Sequence, residues 1–426
     1  MRDETLNANP LTSTPTSSFA RDLRLLFTLR AVRLFAYGFL AVILVLYLSS
    51  AGLGTNQIGV LLALTYLGDA VISLALTTRA DRWGRRRTLK VGLFLMIGGG
   101  AVFAVTGNFW LLLAAATVGV ISPSGNEVGP FIAIEQSCLA EIVPAARRTQ
   151  MFAWYHVSGF TAAAIGAAFG GALVGWLQLH AWTEVSSYRV LCWLYAAFGI
   201  VLLYLNGRLD ASVEAPGNSR KNRSEFWFGL EHSQTIVAKL SVLFAADAFA
   251  GGIILQSFVA YWFHRKFGAS LPLLGAIFFG TNLLSGFSAL LAVPLAKRIG
   301  LLNTMVWTHL PSNLVLMFVP VMPTLGGAIA LLLFRNLISQ MDVPTRLSYV
   351  NAVVPAAERS AANGITATAR QAGVMLAPLV AAPLMARFEL SSFTFWICGG
   401  VKIIYDLCLW TLFRSIKPPE ERSAKN

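Results

Sequence analysis

Charge is scarce in this sequence. Asp, Glu, Lys and Arg make up 12% of its 426 residues, against 56% hydrophobic. A soluble chain of that length could not solvate itself at that balance, which excludes the ordinary globular classes. Cysteine is scarcer still. Cys138, Cys192, Cys398 and Cys408 all lie in apolar runs with no metal-ligand spacing, so they read as small core residues rather than a zinc or redox set. There is no Gly-Lys-Ser/Thr phosphate loop, which excludes an ATP-driven step, and no nucleophile elbow that would point to an enzyme. Neither metal nor cofactor is expected. No cleavable leader is expected either, because residues 1–25 are polar and the apolar run after them comes too late for one. Acids are outnumbered, 20 to 33, for a net charge of +13. That excess would suit nucleic acid, but the basic residues sit mostly between apolar runs. This is a topology pattern, and nucleic acid is rejected as a partner.

What the sequence has in abundance is apolar runs of spanning length. Twelve are read, at about 27–49, 56–78, 88–107, 110–139, 150–178, 188–206, 238–262, 272–294, 303–321, 324–353, 361–386 and 391–413. An even number puts both termini on one side. Lys and Arg settle which: 23 fall in the loops and tails of that side and four (Arg189, Arg265, Lys266, Arg387) in the opposite loops. Both termini are therefore expected in the cytoplasm, with the bilayer that of a bacterial inner membrane. The fold class expected is an all-α polytopic membrane protein. Its parts are a disordered tail (1–25), a six-helix bundle (26–206), a flexible linker (207–237), a second six-helix bundle (238–413) and a C-terminal tail (414–426).

The two halves repeat. Ile142-Val-Pro-Ala-Ala-Arg-Arg-Thr149 returns as Val353-Val-Pro-Ala-Ala-Glu-Arg-Ser360, Asp81-Arg82-Trp83-Gly84 as Lys297-Arg298-Ile299-Gly300, and Glu127-Val128-Gly129-Pro130 as Asp342-Val343-Pro344. Three echoes in register argue for duplicated bundles, the architecture that alternates access about a central site.

Between the second and third spans runs Thr77-Thr-Arg-Ala-Asp-Arg-Trp-Gly-Arg-Arg-Arg-Thr-Leu-Lys90. Asp81, Arg82, Gly84, Arg85 and Arg86 resemble the loop signature of the major facilitator superfamily, Gly-x-x-x-Asp-Arg-x-Gly-Arg-Arg, with Thr77 in place of the leading Gly. The resemblance implies twelve helices in two pseudo-symmetric bundles. It also implies a monomeric secondary transporter of a small-molecule substrate, working by alternating access. Proton coupling is expected from the buried acids. A mild preference for efflux comes from Gly-Ala-Ala-Phe-Gly-Gly, containing Gly166, Gly170 and Gly171, which resembles the family's antiporter motif without its Pro. The same glycine spacing suits close helix packing. Alternatives are an uptake carrier for an organic anion or sugar and, remotely, a non-transporting membrane sensor or scaffold.

Charges within spans are functional candidates, because an unpaired charge in lipid is costly. Asp69 lies 12 residues before Asp81. On a straight helix that is about 18 Å, near the midplane of a core about 30 Å thick. Since the family lines its cavity with spans 1, 4, 7 and 10, the resemblance would bring Arg33, Asn126, Glu127, Asp247 and Arg335 to one pocket. Glu127 is the first choice for the proton-coupling or substrate-contacting acid, beside Pro123 and Gly125 that loosen its span. Asp69 is expected to pair with Arg370, and Lys402 with Asp406 four residues on. His156 is expected to be an ordinary bundle residue, and His309, in span 9, to be peripheral. The resemblance further implies a cytoplasmic gate. In it Asp81 caps span 11 and Arg85 or Arg86 meets Glu135 or Glu141, with Arg346 at the repeat position of Glu135.

Overall fold

The computed structural model describes residues 17–143, 145–214, 230–355, 358–387 and 391–416. Among the described residues every regular element is a helix. The first half contributes α1 (Ser17–Ser50), α2 (Thr55–Trp83), α3 (Arg85–Val105), α4 (Phe109–Val118), α5 (Phe131–Ile142), α6 (Ala145–Leu179) and α7 (Glu184–Gly207). The second contributes α8 (Gln234–Ile253), α9 (Gln256–Phe267), α10 (Leu271–Ile299), α11 (Leu301–Phe318), α12 (Leu325–Ser339), α13 (Asp342–Val353), α14 (Arg359–Ala386) and α15 (Ser391–Phe413). Ten helical segments, α8 and α9 counting as one, are long and apolar enough to cross a membrane.

Three expected spans are interrupted. Span 4 is α4 and α5 with residues 119–130 between them, span 7 bends between α8 and α9, and span 10 is α12 and α13 parted at Gln340 and Met341. In span 4 the sequence leaves no choice. Pro123 and Pro130 lack a donor, and Gly125 and Gly129 hold φ of 71° and 80°, where a side chain would strain the backbone. Backbone freed in this way must be satisfied locally. The Ser122 hydroxyl donates to the Asn126 carbonyl at 2.6 Å, and the Gly129 N–H donates to Asp69 Oδ1 at 2.5 Å.

The repeat seen in the sequence is a repeat of geometry. Gly84 ends α2 and begins α3 with φ 98°, and Gly300 does the same between α10 and α11 with φ 90°. The connecting regions are more ordered than expected where they are described. α1 begins at Ser17, inside the expected tail, and buries Asp22, whose carboxylate accepts from the Asp210 N–H at 3.3 Å. Glu358 accepts from the N–H groups of Glu231, His232 and Ser233 at 2.8–3.1 Å, just before α8.

Glycines decide how closely helices approach. A Cβ on Gly166 would lie 2.0 Å from the Phe35 carbonyl oxygen, and one on Gly170 2.6 Å from Phe39 Cβ, so both press α6 against α1 within the first lobe. A Cβ on Gly171 would lie 2.3 Å from the Leu271 oxygen on α10, across the lobe boundary. Gly59 meets Pro378 and Ala382 across the same boundary, and Gly286 meets Phe160. These approaches run from the ends of the helices away from the basic turn to their midpoints.

Candidate functional site

Between the lobes lies a cavity of about 450 Å³. Asp69, Asn126 and Glu127 line it from the first lobe, and Asp247, Arg335, Arg370 and Lys402 from the second. Asn126, Glu127, Asp247 and Arg335 were expected to share a pocket; Arg33, expected with them, is not on the lining, and Asp69, Arg370 and Lys402 were expected in ion pairs.

The first-lobe wall is built on α1. Arg30 and Arg33 are three residues apart and so share a helix face. Arg33 forks onto Glu135 at 2.7 and 2.6 Å and reaches Glu127 with Nε at 2.7 Å. Arg30 Nη1 sits 2.9 Å from the other Glu127 oxygen. Tyr155 donates its hydroxyl to Glu135 and lends its ring to Arg30, whose guanidinium carbon is 4.5 Å from the centroid. A Cβ at residue 159 would come within 2.7 Å of Arg30 Nε, which is why Gly159 faces it. Arg33 and Glu135 are each 1% exposed, so two cations and two carboxylates neutralise each other out of water. The paired fork is what makes such burial tolerable.

The second-lobe wall is the same device with the signs exchanged. Asp247 on α8 stands where Arg33 stands on α1, and Arg346 on α13 occupies the repeat position of Glu135. Arg346 Nη1 is 3.2 Å from Asp247 Oδ2 and 3.1 Å from Asp342 Oδ2. Arg370 adds a contact to Asp247 at 3.0 Å, and Lys402 donates to its other oxygen.

Several expected pairings are overturned. Lys402 meets Asp247, not Asp406. Asp406 instead accepts from Asn313 at 3.2 Å and bonds His309 Nδ1 at 2.9 Å. His309 is therefore buried at the edge of the charge cluster rather than peripheral, with Nε2 3.9 Å from Asp247. Asp69 does not pair with Arg370. It binds three neutral donors: the Gly129 N–H at 2.5 Å, Gln371 Nε2 at 3.0 Å and the Ser73 hydroxyl at 3.3 Å. Gln371 is on α14, so this carboxylate links the lobes. Glu127 is held by two arginines and Asp69 by none among the described residues. The spacing of Arg30 with Arg33, and of His309 with Asn313, would have flagged the two residues that the sequence reading passed over.

Glu135 and Arg346, expected at a cytoplasmic gate, stand here in the buried clusters. The basic turn is tied to its own lobe. Arg85 Nη1 reaches the Val213 carbonyl at 3.0 Å and lies 3.6 Å from Glu141, while the Glu214 carboxylate accepts from the Arg85 and Arg86 N–H groups at 2.6 and 3.2 Å. That carboxylate sits at the start of α3, where the helix dipole favours it. Arg82 is exposed, and the Asp81 side chain lies outside the described residues.

The sequence profile of the Major Facilitator Superfamily matches residues 26–334 and 240–426. The chain belongs to the major facilitator superfamily. Its family makes it a transporter and not an enzyme. A related yeast sequence, an uncharacterised membrane protein of Saccharomyces cerevisiae, is 27% identical over 430 residues, covering 93% of this chain and 95% of that one. Among solved structures, a bacterial homolog of the human lysosomal transporter Spinster, inward-facing and unoccupied, matches with a TM-score of 0.73 at 15% identity, covering 95% of this chain and all of that one. The xylose transporter XylE from E. coli, in an inward-open conformation, matches with a TM-score of 0.69 at 15% identity over 91% of this chain and 95% of that one. At these identities the structures share the fold alone.

Proposed function

We propose that this superfamily member is a proton-coupled secondary transporter carrying a small polar solute by alternating access through the cavity between its lobes. The broken pairs α4–α5 and α12–α13 complete twelve crossings. Both termini are cytoplasmic, on the side of the basic turn, as the ratio of 23 to four supports. The close lobe approaches lie at the midplane and beyond it, away from that turn. The arrangement is thus the one open to the cytoplasm.

One observation carries the reading. A carboxylate without a cation, Asp69, sits on the cavity wall and bonds Gln371 of the opposite lobe at 3.0 Å. Protonation changes it from an acceptor-only group into one that also donates, so proton occupancy alters a contact that joins the lobes. Gly166, Gly170 and Gly171 serve close helix packing, and direction follows the gradients.

The test is reconstitution of the full chain in liposomes, with uptake of labelled sugars, nucleosides and organic acids under an imposed pH gradient. Accumulation of at least one solute above the rate of empty liposomes is expected. Asp69→Asn should abolish gradient-driven accumulation while leaving solute exchange. Uphill movement that survives a protonophore would sink proton coupling, and no movement of any solute would sink the transporter reading.

A further inference from the structure

The charged groups more than two residues from the end of a span number six cations (Arg30, Arg33, Arg335, Arg346, Arg370, Lys402) and six acids (Asp69, Glu127, Glu135, Asp247, Asp342, Asp406). With histidines neutral, the interior of the spans is balanced when empty, but the balance is not local. The first-lobe cluster of Arg30, Arg33, Glu127 and Glu135 is neutral by itself. Arg346, Arg370 and Lys402 gather on Asp247, with Asp342 and Asp406 beside them. Asp406 aside, which His309 and Asn313 hold, that leaves one cation and one carboxylate without an ionic partner within 4.0 Å among the described residues: Arg335 and Asp69. Both line the cavity.

Arg335 Nε is buried and has no hydrogen-bond acceptor. Its helix, α12, ends four residues on at Ser339, just before span 10 breaks. Across the cavity, Gln256 Nε2 at the start of α9 is also buried and lacks an acceptor, although Asn282 donates to its oxygen at 3.4 Å. Two buried donors on the wall thus have no acceptor. A carboxylate brings acceptors only, and a guanidinium is the side chain that binds it in a fork. The volume of about 450 Å³ suits a small organic molecule.

We infer that the transported solute is a monoanion, bound through its carboxylate to Arg335, and that one proton on Asp69 travels with it. This rests on the transporter reading and names its substrate class. The charge count sets the stoichiometry. One bound anion leaves the buried groups with one net negative charge, which is costly in the bilayer core. Of the acids lining the cavity, Asp69 alone has only neutral donors. Glu127 is held by Arg30 and Arg33, and Asp247 by Arg346, Arg370 and Lys402. A proton taken up there restores neutrality, so anion and proton enter and leave together.

The experiment is a thermal-shift titration of the purified full chain in detergent. Matched pairs serve as probes: benzoate and benzamide, lactate and lactamide, gluconate and glucose. At least one anion should raise the melting temperature, with its neutral partner inert. Arg335→Gln should weaken the apparent Kd at least ~10-fold, Arg335→Lys less, and Lys239→Gln, at an exposed residue outside the cavity, not at all. Wild-type affinity for the anion should rise as pH falls, whereas Asp69→Asn should bind it with little pH dependence. Absence of any anion shift, equal shifts from neutral partners, or undiminished binding in both Arg335 variants overturns the assignment. Liposome uptake of a neutral solute by the same preparation would then show that the transporter reading survives without it.

Discussion

Gly171 tests whether the lobes separate where they now touch. Its missing side chain faces backbone of the other lobe, with a Cβ placed 2.3 Å from the Leu271 oxygen and 2.9 Å from Gly275 N and Cα. Backbone cannot rotate away as a side chain can. Reaching ordinary contact at 3.4 Å requires about 1.1 Å of separation between α6 and α10, the difference between those two distances. Overpacking of this kind costs about 1–3 kcal/mol. The contact exists only while the lobes are closed on the side away from the basic turn, so Gly171→Ala should raise the population open on that side by about 5- to 150-fold. Spin labels on Leu179→Cys and Ser270→Cys, both exposed at the closed rim, would report it as a longer distance component. Gly166→Ala, whose clash with the Phe35 carbonyl lies within one lobe, should lower thermal stability without lengthening that distance. Gly98→Ala, with open space around it, should do neither. An unchanged distance distribution in a folded Gly171→Ala protein would refute the reasoning.

Other outcomes follow from the charge clusters. Asp247→Asn leaves Arg346, Arg370 and Lys402 around a neutral amide, and should destabilise the fold by about 3–5 kcal/mol. Adding Lys402→Met should recover part of that loss, as read by thermal unfolding; no recovery would mean that Lys402 is stabilised by something other than Asp247. At the linker, Glu358 has its pKa lowered from 4.5 to about 2, first by the His232 N–H and then by those of its neighbours. A depressed carboxylate pKa gives stability that is full above the unfolded value and is lost as pH falls through the folded one. The wild type should therefore lose its advantage over Glu358→Gln between about pH 4.5 and 2, measured by melting temperature against pH. A constant difference across that window would remove Glu358 from the account.

The basic turn, the run lengths and the echo of Glu135 in Arg346 were all visible in the linear order of residues. So was the fracture of span 4, because Pro123, Gly125, Gly129 and Pro130 are local instructions. The partner of Lys402 was not. Spacing favoured Asp406 on the same helix, but α15 turns Lys402 toward Asp247 while Asp406 points at His309. Nor could spacing show that Glu127 is held by two arginines while Asp69 is held by none.

The chain alone determined that this protein is helical, membrane-embedded and internally repeated. Hydropathy and backbone preference act over a few residues at a time, and charge asymmetry acts loop by loop. Only the tertiary structure decided which buried charges cancel and which two are left facing the cavity. Pairing depends on how each helix is rotated and how closely its neighbours approach, for residues as far apart as Asp69 and Gln371. A change of one helical face exchanges a neutral pair for an unpaired ion, and nothing in the linear sequence fixes that rotation.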